Sequence, residues 1–113
     1  MRGDDAYLLD MLVAARKAVA FAAELTYQRF ARSELHQNAI LKTLEVVGEA
    51  ASRVSEDFKT AHPEIPWRQI VGFRNRIVHV YFEIDLGIVW RVVQDDLPVL
   101  ISRLEIFVPT GTE

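Results

Sequence analysis

Apolar side chains recur every three to four positions along most of this chain. Leu8, Leu12, Ala15, Val19 and Ala22 form one stripe, which is the spacing of an amphipathic helix. Asp4 or Asp5 ahead of it supplies a carboxylate suited to an N-cap and first turn. The pattern predicts a first helix running from there toward Phe30. Ser33 and Glu34 mark a restart, and Ile40, Leu41, Leu44, Val47, Gly48, Ala51 and Val54 repeat at helical spacing on a second long helix that ends before Pro63. Gly48, Ala50 and Ala51 interrupt its large apolar residues. Small side chains in mid-helix let another backbone approach closely, so helix packing explains them without a ligand.

His62-Pro63-Glu64-Ile65-Pro66-Trp67 is the clearest boundary, because a residue that precedes proline is pushed away from helical geometry. Pro66 suits the first position of a third helix, which continues through Ile70, Phe73 and Ile77 to about Phe82. Asp85 can cap a fourth that carries Ile88, Val89, Val92, Leu97, Leu100, Ile101 and Leu104, with a kink expected at Pro98. The last residues, 108–113, are expected to fray. These elements imply an all-α, up-and-down bundle of four or five helices in one domain spanning residues 1–113.

Composition narrows this picture. The chain has 113 residues, half of them hydrophobic, enough for one core and too few to suggest two. Cysteine is absent, which removes disulfides and thiolate metal sites and suits a reducing cytoplasm. No apolar run, such as 11–15, approaches the roughly 20 residues that span a bilayer, and the N-terminus lacks a signal-peptide pattern. A soluble cytoplasmic protein without a membrane partner is expected. A net charge of −3 argues against coating nucleic acid through a general basic surface. Any such contact must be local, and Arg68, Arg74 and Arg76 are the cluster that would make it.

One stretch concentrates chemistry: Phe73-Arg74-Asn75-Arg76-Ile77-Val78-His79-Val80-Tyr81. Imidazole exchanges protons near neutral pH, and a guanidinium fork matches phosphate oxygens, so the pair suits phosphodiester cleavage or nucleotide binding. A histidine near arginines on a bundle helix is also a common structural group. At about 100° per residue, Asn75 and His79 differ by only ~40° and project together, with Arg68, Gly72 and Arg76 near the same arc. Arg74 lies about 140° from His79. Either the helix distorts near His79, or a second copy of the helix completes the site across a two-fold axis, which is the simpler solution.

Arg74, four residues, His79, one residue and Tyr81 reproduce an R-x4-H-x-Y motif, with Asn75 as the polar residue after the arginine. In this the chain resembles the HepT-like HEPN family. Leu44-Glu45-Val46-Val47-Gly48-Glu49-Ala50-Ala51 before the motif, Ile65-Pro66-Trp67 leading into it, and Tyr81 to Trp90 with Leu97-Pro98 after it extend the likeness over about residues 40–104, with a looser match in the first helix. R-x4-H alone is a weak pattern; the combination in this order is specific.

The resemblance implies a dimeric helical-bundle ribonuclease toxin, encoded with a small nucleotidyltransferase of the MNT type as its antitoxin. It implies a metal-independent reaction without cofactor: a 2′-hydroxyl nucleophile, His79 as general acid or base, Arg74 stabilising the transition-state charge, and Asn75 orienting the phosphate. Arg68 and Arg76 would bind RNA. It also implies that the partner transferase adenylylates Tyr81, placing a bulky anion beside Arg74 and His79. By itself Tyr81 reads as a core aromatic. A rival reading is a non-catalytic module that binds nucleotide or RNA for an associated nucleotidyltransferase; a third is a purely structural dimerisation domain.

The remaining chemistry-bearing residues weigh less. Trp67 and Trp90 read as core or interface anchors, and His36 and His62 as surface or loop residues without a second ligand at metal-binding spacing. Glu45 and Glu49, one turn apart, read as a solvated face or as partners of nearby arginines.

Overall fold

The computed structural model describes residues 3–79 and 83–108. They form seven α-helices: α1 Asp4–Ala22, α2 Tyr27–Ala31, α3 Glu34–Arg53, α4 Glu56–Ala61, α5 Trp67–His79, α6 Leu86–Arg91 and α7 Leu97–Glu105. A π-helical turn, Val92–Asp96, joins α6 to α7. No strand occurs among the described residues, so the all-α bundle expected from the periodicity is the observed class.

α3 is the central helix. It packs against α1 on one side and α5 on the other, while α7 closes over α1. Its buried stripe, Ile40, Leu41, Leu44, Val47, Gly48 and Ala51, coincides with the stripe the sequence predicts. Leu8, Met11, Leu12, Ala15 and Ala18 bring α1 against it. Two of these are alanines, and small side chains at a crossing let helices approach closely. One buried cluster extends from Leu8 to Val108.

The chain is cut more finely than its apolar rhythm suggests, and each cut has a side-chain cause. The first helix stops at Ala22 instead of reaching Phe30, because the Thr26 hydroxyl accepts a hydrogen bond from the Arg29 N–H at 3.2 Å and starts α2. A hydroxyl that satisfies the free N–H groups of a new helix competes with continuation of the old one. The second long helix does not run to Pro63. It ends at Arg53, and Ser55 caps α4 through the Phe58 N–H at 3.1 Å.

Asp4 helps to fix that second break. Gly3, not Asp4 or Asp5, is the N-cap of α1; the Asp4 carboxylate instead accepts from the Ser55 N–H at 2.8 Å and the Ser55 hydroxyl at 2.7 Å. A residue 51 positions away in sequence thus holds the α3–α4 corner. Ser33 does cap α3, as the sequence suggests, through the His36 N–H. His36 is therefore a first-turn residue, its Nδ1 2.6 Å from the same hydroxyl.

Pro66 stands one position before α5, its carbonyl accepting from the Ile70 N–H at 3.0 Å. Pro98 lies in the first turn of α7, directly after the π turn. A wider turn accommodates a residue that has no N–H to give its own i−4 carbonyl, so the irregularity expected at Pro98 is spread over the five residues before Leu97. Val108, expected in a frayed tail, is buried in the core cluster. Trp67 is buried and donates from Nε1 to the His62 carbonyl at 3.0 Å. Trp90 stacks on Phe30, with ring centroids 5.3 Å apart.

Candidate functional site

α5 presents two different faces, and the candidate residues divide between them. The face toward α3 carries Arg74. Its Cβ sits where a side chain on Gly48 would be: a Cβ built on Gly48 would stand 2.1 Å from the Arg74 Cβ and 2.6 Å from its Cγ. Glycine at position 48 is thus what admits Arg74 to this crossing. The packing role expected for the small residues of α3 is real, and the residue it serves is an arginine.

Glu49, the next residue on α3, binds the arginine's outer end, with Nη2 2.7 Å from Oε1. The same carboxylate holds Arg53 at 3.0 Å. Glu49 is thus a partner of arginines on two helices, one of the readings open from its spacing. The other end of the guanidinium, Nη1, donates to the Asn75 side-chain oxygen at 2.9 Å. Nε is buried without a hydrogen-bond partner, a cost that functional sites tolerate more often than structural cores do. The guanidinium is therefore fixed on two sides, and it borders a polar cleft of about 520 Å³ between α1 and α3.

The second face of α5 is open to solvent. Asn75, Arg76 and His79 line one shallow cleft together with Glu83, so the shared projection of Asn75 and His79 is observed. His79 is exposed at the last position of α5. Arg68, Gly72 and Asn75 lie along a neighbouring groove on the same stripe. Arg74 and His79 do not open onto a common cleft within one chain. α5 is α-helical throughout Trp67–His79, without a distortion that would bring them together. What links them is Asn75, which touches the Arg74 guanidinium and also lines the His79 cleft.

Tyr81 lies outside the described residues, as does the expected continuation of the third helix to Phe82. The chain re-enters at Glu83, and Asp85 caps α6, accepting from the Gly87 N–H at 2.8 Å and the Ile88 N–H at 3.2 Å. His62 is half-buried, wedged between the rings of Phe58 and Phe107 at centroid distances of 4.3 and 4.4 Å. A third cleft, of about 390 Å³, runs between α3, α5 and α7, and its lining is mainly apolar, including Ile70, Phe73 and Leu100. Among the described residues, no three His, Asp or Glu side chains gather as a metal-binding group, and no helix is long and apolar enough to cross a membrane.

Two features of the site escape sequence reasoning. One is the pairing of Gly48 with Arg74, which requires knowing how α3 crosses α5. The other is Lys59 on α4, which enters the groove beside Arg68; a lone lysine in a short helix carries no periodic signal.

Comparison with known proteins gives the site its context. The family model described as ribonuclease HepT-like matches residues 11–106, a longer stretch than the motif-bearing region and one that takes in most of α1. A Methanocaldococcus jannaschii protein named as a candidate RNase is 34% identical over 89% of this chain and 93% of its own length. A Thermococcus cleftensis protein named for the ribonuclease HepT is 35% identical over 88% of this chain and 90% of its own length. A second M. jannaschii protein, named for both a gamma-glutamylcyclotransferase and a candidate RNase, is 30% identical over 83% of this chain and 42% of its own. No solved structure matches the chain.

Proposed function

This chain belongs to the HepT-like ribonuclease family, and from that premise we propose that it is a metal-independent endoribonuclease whose site forms between two copies of α5. The observation that carries the proposal is the position of Asn75, bonded to the Arg74 guanidinium at 2.9 Å and lining the His79 cleft. A fixed cation, an amide and an exposed imidazole within two turns of helix are the parts that phosphodiester cleavage needs.

In the proposed reaction the RNA 2′-oxygen attacks the adjacent phosphorus while the bond from phosphorus to the 5′-oxygen breaks. The proton of the 2′-hydroxyl passes to a base, and the leaving 5′-oxygen takes one from an acid. His79 serves one of these transfers, and solvent water can serve the other. Arg74 neutralises charge building on the non-bridging oxygens, and Asn75 orients them. A dimer would account for the division of the two α5 faces: among the described residues Arg74 and His79 line separate clefts, and a two-fold can set one against the other's counterpart. Val78, 42% exposed beside His79, is an apolar residue that such a contact would cover.

The same proposal makes the protein the toxin of a toxin–antitoxin pair. An MNT-type nucleotidyltransferase would silence it by adenylylating Tyr81, two residues beyond His79. Attached AMP would bring a phosphate to the cations that RNA must use. Purified protein is expected to cleave RNA in the presence of EDTA, and His79→Ala and Arg74→Ala to fold and fail to cleave. Intact RNA in the wild-type reaction would overturn the reading. After co-expression with an MNT-type nucleotidyltransferase encoded beside it, should one be found there, mass spectrometry should find the adenylyl group on the Tyr81 peptide; only unmodified peptide would remove the regulatory half.

A further inference from the structure

Gly72 has no structural reason to be glycine. It lies in the middle of α5, and a Cβ built on it would meet nothing within 4 Å. Nor is its φ positive. Glycine inside a helix costs roughly 1 kcal/mol relative to alanine, and at Gly48 the cost is answered by the Arg74 side chain. At Gly72 nothing among the described residues answers it.

The surroundings indicate what could. Gly72 is on the wall of a groove of about 730 Å³ between α4 and α5, lined also by Lys59, Thr60, Arg68 and Asn75. Lys59 lines this groove with a side chain only 15% exposed, so most of its length is packed. Glu56 stands 3.8 Å from that ammonium and is 89% exposed, a loose pair that a competing anion displaces at small cost. Asn75 borders both this groove and the His79 cleft, so the two adjoin there. From Arg68 to His79 the stripe runs about 16 Å along the helix.

We propose that this groove is a second RNA-binding subsite, in which Lys59 and Arg68 take successive phosphates of the single strand and Gly72 lets the backbone lie against α5 on its way to His79. The inference rests on the ribonuclease reading and adds to it where the strand enters. Cations that track a backbone beside an open wall fit single-stranded RNA.

Fluorescence anisotropy with a 2′-O-methyl single-stranded RNA of about twelve nucleotides reads the groove without turnover. Gly72→Leu should melt no lower than wild type yet bind this RNA about tenfold more weakly or worse, with its sedimentation unchanged. The double variant Lys59→Ala, Arg68→Ala should flatten the slope of log affinity against log salt by about 1.4, at ~0.7 for each single-strand phosphate contact. Unchanged affinity and slope would overturn the proposal, and so would weaker binding accompanied by a change in assembly, which would give the groove to a second copy. The reaction is scored separately, on unmodified RNA. If wild type fails to cleave it while the anisotropy shifts persist, the ribonuclease reading falls and the subsite stands.

Discussion

The two faces of α5 use glycine in opposite ways. Toward α3, Gly48 removes a side chain so that Arg74 can enter, and Glu49 and Asn75 then hold the guanidinium at 2.7 and 2.9 Å. Toward solvent, Gly72 removes a side chain and nothing enters. The first face is finished by the fold itself. The second is left open beside His79, on the stripe where Arg68, Asn75 and Arg76 also project. A helix that is packed for position on one side and cleared on the other divides its work: one face fixes a charge, and the other is the face we propose for substrate.

The sharpest way to break this contrast is at His79. Because the imidazole is exposed, His79→Ala should leave the melting temperature within about 3 °C of wild type while lowering kcat by about 10²–10⁴. A large fall in stability would instead make His79 part of the packing. Arg74→Ala should lower kcat by about 10²–10³ and also disturb the α3 crossing, since it removes the side chain that Gly48 accommodates. Circular dichroism melts beside initial rates separate those two effects.

Smaller effects are expected from the glycines. Gly48→Ala forces its Cβ against the Arg74 stem and should destabilise the fold by about 1–3 kcal/mol; a melting temperature at or above wild type would mean that α5 is not held where the structure has it. Gly72→Ala should do the reverse, raising stability by about 0.5–1 kcal/mol, because its Cβ enters open space. Measured side by side in urea, the two alanine variants should move in opposite directions.

Much of this was legible in the chain. The α3 stripe, the Ser33 and Asp85 caps, the boundary before α5 and the joint projection of Asn75 and His79 all follow from spacing and local chemistry, because each depends on residues within two turns of one another. The breaks at Thr26 and Ser55 were not. A single hydroxyl caps each new helix, and an apolar rhythm that continues past the break masks it; at Ser55 the deciding partner is Asp4, far away in sequence. The same limit applies to the site. Arg74, Asn75 and His79 are visible as a motif, and Glu49 as a partner for arginines, whereas the fit of Arg74 over Gly48 and the entry of Lys59 into the groove depend on how α3, α4 and α5 cross.

The separation of Arg74 and His79 within one chain makes a shared dimer site directly testable. Arg74→Ala and His79→Ala protein, each inactive alone, can be mixed in equal amounts under conditions that exchange subunits and assayed on RNA. If each site takes its arginine from one copy and its histidine from the other, half the dimers are mixed and each has one intact site, so activity should return to about one quarter of wild type. A mixture no more active than the sum of the two separate variants would contradict a site shared between copies.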